Sequence, residues 1–159
     1  MRTTTLTTRR SVLRLVLATA AVSLASRWSL ATTARAAALP PVEVWKDPNC
    51  GCCDGWVQHM RKAGFSVMVR DSDNMAAIKQ ASGVPDELQS CHTAVIDGYV
   101  IEGHVPAPDV VRLITERPRA KGLSVPGMAA SAPGMDQPGE AYTVVMFGVP
   151  GGDQPYARH

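Results

Sequence analysis

Cys50, Cys52 and Cys53 place three thiols within four consecutive positions of the segment PNCGCCDGW, residues 48–56. Three chemistries are open to thiols spaced in this way. A disulfide staple suits an exported chain with an even number of cysteines, and this chain has four. Yet a bond between adjacent Cys52 and Cys53 needs a strained ring, and cross-links this close together constrain almost no loop. A redox pair is the second: Cys50 and Cys53 stand in C-x-x-C relation, and a helix N-terminus stabilises a thiolate. A third adjacent thiol would scramble such a bond. A metal site is the third, and it uses every thiol. Thiolates are soft donors for Cu(I) and zinc, and one sulfur can bridge two ions. Iron–sulfur motifs are spaced more widely, and structural zinc usually takes C-x₂₋₄-C pairs.

Other side chains bear on that choice. Pro-Gly-Met occurs twice, ending at Met128 and Met135. Thioether sulfur is a Cu(I) ligand and a poor zinc ligand, which turns a metal reading towards copper. Packing is the competing use of either methionine. Cys91 is followed by His92, a candidate ligand or proton acceptor, and His104 lies where a strand should end. His59 is expected to face solvent, and His159 to lie in a disordered end. Met60, Met68, Met146 and Trp56 fall in element patterns that assign them to the core. Asp47 and Asp54 fit a solvated rim.

The elements that must position these groups can be read in order. VEVWKD (42–47) alternates as a strand and ends at a Pro48–Asn49 turn. A helix opens at Cys52 or Cys53, repeats Trp56, Val57, Met60 and Ala63 at helical spacing, and closes at Gly64. FSVMVR (65–70) is a second strand, so the first three elements form a right-handed βαβ unit with parallel strands. A short helix follows over 71–83, capped by Asp71, Ser72 or Asp73. Residues 92–105 form a hairpin turning at Asp97–Gly98. Pro108, Asp109, Val110, Val111 and Ile114 start a last helix that stops at Pro118.

This βαβ-then-αββα order is that of a thioredoxin-like α/β domain, here over residues 40–118. In such a domain the loop entering the third strand faces the start of the first helix, which carries Cys91 and His92 towards the three clustered cysteines. His92–Thr93 stands where thioredoxins place a cis-proline. Residues 119–140 are rich in Gly, Pro, Ala and Ser and predict an irregular stretch of a C-terminal extension, 119–150, that ends in a strand. Residues 151–159 are expected to be a disordered tail.

The first 36 residues hold six arginines and no acid. TRRSVLRL (8–15) has the form of a twin-arginine export signal, and ARA at 34–36 that of an A-x-A cleavage site. The uncharged stretch between Arg14 and Arg27 is 12 residues, short of the roughly 20 a spanning helix needs. Residues 1–36 therefore read as a cleaved signal peptide, giving a periplasmic protein with no stable membrane insertion. The rest of the chain holds ten Lys and Arg against fourteen acidic residues, a net −4. Such a body argues against nucleic acid, which needs a basic face.

Taken together, DPNCGCCDGW, SCHTAVIDGYVIEGHVP, ERPRAKGLSVPGM and SAPGM resemble the CopG-like family of small periplasmic copper-resistance proteins, over roughly residues 42–148. The resemblance implies a thioredoxin-like domain with a metal-binding C-terminal extension, and copper bridged by cysteine sulfurs. It also implies interconversion of Cu(I) and Cu(II) alongside copper efflux. By motif, Cys50, Cys52, Cys53 and Cys91 match the family's cysteines, and His92, His104, Met128 and Met135 lie in its other recurrent segments. The expected ligand is copper, as Cu(I) or Cu(II) and in more than one ion. The expected partners are copper ions and copper-efflux or other copper-handling proteins, with the chain a monomer. A thiol-disulfide oxidoreductase and a copper metallochaperone are the competing functions.

Overall fold

The structure, a computed structural model, describes residues 38–135 and 137–159; the signal peptide expected over residues 1–36 lies outside them. Alternation in VEVWK produces strand β1 (Val42–Lys46), which buries Val42, Val44 and Lys46 on one face. Helix α1 (Gly51–Lys62) follows, burying Cys53, Trp56, Val57 and Met60 along one stripe. Strand β2 (Val67–Asp71) returns parallel to β1. Helix α2 (Met75–Ser82) and a 3-10 turn (Asp86–Leu88) lead to β3 (His92–Ile96) and β4 (Tyr99–Glu102). These two form the expected hairpin. Asp97 and Gly98 both take positive φ, as a two-residue turn matched to strand twist requires. Helix α3 (Ala107–Glu116) closes this part of the chain.

β3 runs antiparallel to both β1 and β4, so the C-terminal ends of β1 and β4 and the start of β3 share one edge of the fold. The sheet continues through β5 (Gly122–Ser124), β6 (Thr143–Phe147) and β7 (Gln154–Arg158), in the order β2-β1-β3-β4-β5-β6-β7. The molecule is thus a mixed α/β protein with a single seven-stranded sheet and three α-helices among the described residues. Trp56, Met60, Ile101, Leu113 and Leu123 are among the fully buried side chains of its core.

Several expectations are corrected here. The stretch 119–140 is not wholly irregular, because β5 pairs parallel with β4. Gly122 is what allows this: a Cβ there would collide with the Val100 carbonyl. The sheet therefore crosses the boundary expected at residue 118. The end of the chain is not a disordered tail, since β7 pairs with β6 across a bulge at Val144/Val145. His159 is fixed by a 2.7 Å contact between its Nε2 and Asp109 Oδ2, and stacks on Tyr142. The cap of α2 is Asn74, whose side chain accepts from the Ala77 N–H; Ser72 instead accepts from the Asn74 N–H. Met68 is 57% exposed on edge strand β2 and is not core. His59 is half-buried and its Nε2 accepts from the Ala107 N–H at 3.0 Å, tying α1 to α3.

Candidate metal centre

Cys50 is the N-cap of α1, in extended conformation and without a side-chain capping bond. Its thiol is therefore not spent on the helix. Cys52 and Cys53 lie in the first turn, where unpaired N–H groups favour negative charge. Cys53 points into the core and is fully buried, while Cys50 and Cys52 are half-buried. Cys50 and Cys53 are joined as a disulfide, and Cys52 and Cys91 are free.

The loop before β3 delivers the fourth sulfur. Cys52 Sγ lies 3.5 Å from Cys50 Sγ and 4.0 Å from Cys91 Sγ. All four sulfurs lie within 4.8 Å of one another. Cys91 also belongs to a second donor group: its sulfur and one ring nitrogen each of His92 and His104 meet the same limit. Cys91 Sγ stands 3.0 Å from His104 Nε2 and 3.6 Å from His92 Nδ1. One sulfur thus links a thiol cluster to an imidazole pair.

Electrostatics prepare these imidazoles as neutral donors. Burial lowers the pKa of both; for His92, nearby His104 and Lys79 lower it further. His104 Nδ1 lies 2.7 Å from the Pro133 carbonyl, which can only accept, so the proton sits on Nδ1 and the bare Nε2 faces Cys91. His92 is packed between Trp56 and His104, and its Nε2 is buried without a hydrogen-bond partner among the described residues. Burial pushes the Cys91 thiol up to about 11, with the nearby Cys52 adding to the rise.

The extension is tied to both cysteine segments through its glycines. Gly127 donates its N–H to the Gln89 carbonyl, while its own carbonyl accepts from Ser90 Oγ, so Met128 follows directly after a contact with the Cys91 loop. Gly134 lies against the first turns of α1, where a Cβ on Gly55 would sit 2.6 Å from the Gly134 oxygen. Met128 is 60% exposed, and Met135 is partly buried against the apolar core. Asp54 is exposed on the rim and pairs with Lys46 at 3.2 Å.

Gly134 is therefore the residue that lets Pro133 reach His104. Gly134→Ala places a Cβ 2.7 Å from the Gly55 carbonyl carbon, at a φ of +87° that side chains rarely adopt. The expected cost is about 1–3 kcal/mol of stability by denaturant titration. Nitrogen NMR should also show His104 losing its fixed Nδ1–H form. An unchanged tautomer would mean that Pro133 does not hold the ring.

Sequence reasoning missed a buried ion pair beside the site. Lys79 Nζ donates to Glu102 Oε1 at 2.6 Å and to Thr93 Oγ1 at 3.2 Å. Glu102 Oε1 also accepts the Ser90 N–H at 2.6 Å, and Oε2 accepts from Thr93 Oγ1 at 2.7 Å. The carboxylate thus holds the residues on either side of the Cys91–His92 pair. Nothing in MAAIKQAS marks its lysine as buried; the only sign was a glutamate ending an otherwise apolar strand.

Fold and site together define a small α/β protein whose clustered thiols and imidazoles can hold a metal ion. Two solved structures are similar to the chain, titled copper resistance protein CopG, form 2 and form 1. They share 41% and 40% identity with it, each at a TM-score of 0.71, covering 76% of this chain and 98% of theirs. A family model described as a protein of unknown function, DUF411, matches residues 88–135. No curated protein matches the chain. The chain belongs to the CopG family of copper resistance proteins.

Proposed function

We propose that the protein binds copper in copper resistance, holding the ion through its clustered cysteine sulfurs and interconverting Cu(I) and Cu(II). The observation that carries this reading is the convergence of Cys50, Cys52, Cys53 and Cys91 within 4.8 Å, with Cys91 shared by a His92–His104 pair. Soft sulfur suits Cu(I), and neutral imidazole suits either oxidation state. His92 Nδ1 and His104 Nε2 are the ring nitrogens that face Cys91, at 3.6 Å and 3.0 Å. The similar structures are named for copper resistance, which favours copper over zinc. Met128 and Met135 supply further soft donors from the extension. The place of action is the periplasm, reached by twin-arginine export through Arg9 and Arg10. No helix among the described residues is long and apolar enough to cross a membrane.

Metal competition tests the reading. In reduced protein prepared without oxygen, Cu(I) should displace zinc and saturate at more than one ion per chain, read by metal analysis with thiol counting. A single zinc that copper cannot displace would turn the assignment to a structural site.

Thiol-disulfide exchange is a second reading, favoured by the Cys50–Cys53 disulfide at the start of α1. Unpaired N–H groups at a helix N-terminus stabilise the attacking thiolate in such exchange. Reduction of insulin by the dithiol form, with no dependence on copper, would support it.

A further inference from the structure

The thiols fall into two unequal pairs. Cys50 and Cys53, at the N-cap and one helical turn on, are joined with their Cα atoms 5.4 Å apart, within the span a disulfide bridges. Forming this bond removes two of the four clustered sulfurs as thiolate donors. It leaves Cys52 and Cys91 as free thiols 4.0 Å apart. It also leaves the Cys91–His92–His104 group whole. The oxidised site thus keeps two sulfur and two nitrogen donors, enough to go on holding copper. Cys52 lies between the two states, since its sulfur is 3.5 Å from Cys50 and 4.0 Å from Cys91.

We propose that Cys50 and Cys53 are the electron source by which this protein reduces Cu(II), with Cys52, Cys91, His92 and His104 holding the copper product. The dithiol gives up two electrons and two protons and becomes the disulfide. Two Cu(II) ions each take one electron and become Cu(I). One S–S bond forms, two S–H bonds break, and the protons pass to solvent. A further round needs an external dithiol reductant to return the pair to thiols. This inference rests on the copper reading above and adds to it the source of the electrons. It also explains a third adjacent thiol: the pair that is oxidised and the sulfurs that retain copper are different residues.

The test uses full-length protein, fully reduced and free of oxygen, mixed with two equivalents of Cu(II). The expected result is two Cu(I) per chain, read with a Cu(I)-specific chelator, and a fall from four free thiols to two. Peptide mapping should place the new bond between Cys50 and Cys53. Cys50→Ala removes one partner, and because Cys50 makes no capping bond the helix should survive. This variant should lose at least tenfold in Cu(I) yield, whereas Cu(I) added directly should bind more weakly than to wild type but still be held by Cys52, Cys91, His92 and His104. Undiminished reduction by Cys50→Ala, a bond mapped to Cys52–Cys91, or four thiols surviving contact with Cu(II) would overturn the inference. Direct titration with Cu(I) separates the two readings. If reduced wild type binds Cu(I) but fails the reduction test, only the electron source is wrong. If it binds neither Cu(I) nor Cu(II), the copper reading itself falls.

Discussion

Cys91→Ser should reduce copper affinity more than any other single thiol change, because among the described residues only Cys91 belongs to both donor groups. The other three cysteines come from the N-cap and first turn of one helix, and each leaves two sulfurs beside Cys91 when removed. Without Cys91, the thiol cluster and the His92–His104 pair no longer share an atom. Loss of an outer hydrogen-bond partner at a metal site costs roughly 10–100-fold in affinity. Loss of the shared ligand should exceed this, with fewer copper ions bound per chain. Cys91 is half-buried and outside the apolar core, so the metal-free variant should stay folded, with less than about 1 kcal/mol lost. The measurement is Cu(I) titration against a competing chelator, with circular dichroism as the control for folding. A folded Cys91→Ser protein that binds copper as wild type does would show the four-cysteine site to be wrong.

That Cys91 faces the clustered cysteines was legible in the sequence, although Cys91 lies 39 positions after Cys52. The element order supplied the link. Alternation in VEVWK, the helical spacing of Trp56, Val57 and Met60, and the Asp97–Gly98 turn are local signals, and each formed its element. A strand, a helix and a parallel strand then leave little freedom for where the third strand begins. The cluster follows from the order of the elements.

What could not be read depends on contacts remote in sequence. QPYAR contains a proline and no apolar alternation, yet it forms β7 because β6 offers an unpaired edge and Pro155 falls beside a bulge. GLS has only three residues, and its pairing with β4 depends on Gly122 clearing a carbonyl. FSVMVR suggested a core methionine, but β2 is an edge strand and Met68 faces outward. At the site, Pro133 meets His104 only because two glycines touch, and glycine contacts leave no periodicity to detect. The choice of Cys50 with Cys53 was visible as a C-x-x-C relation. Spacing alone leaves metal and disulfide chemistry equally available to it.

The least legible feature carries the largest expected effect on stability. Lys79→Met removes the cation from Glu102, whose side chain is fully buried, and Lys79 itself is only 7% exposed. Breaking a buried pair from one side costs about 3–5 kcal/mol, because the remaining charge is left without compensation. Glu102 keeps the Ser90 N–H and Thr93 O–H as donors, which should place the loss towards the lower end. The deficit should also depend on pH. Burial already holds the Glu102 carboxyl above its ordinary value of 4.5, against the pull of Lys79, Thr93 and Ser90. Removing Lys79 raises it further. A folded-state pKa above the unfolded one means that protonation favours the fold. The deficit should therefore be smallest below pH 4.5, and should grow as pH rises through the raised folded value. Adding Glu102→Gln removes the stranded charge and keeps an acceptor for the Ser90 N–H. The double variant should recover most of the loss at neutral pH and lose its pH dependence. Urea unfolding of both variants from pH 4 to 8 checks this. A loss under about 1 kcal/mol that is flat with pH would show the pair to be solvated, with the Cys91 loop held by its backbone alone.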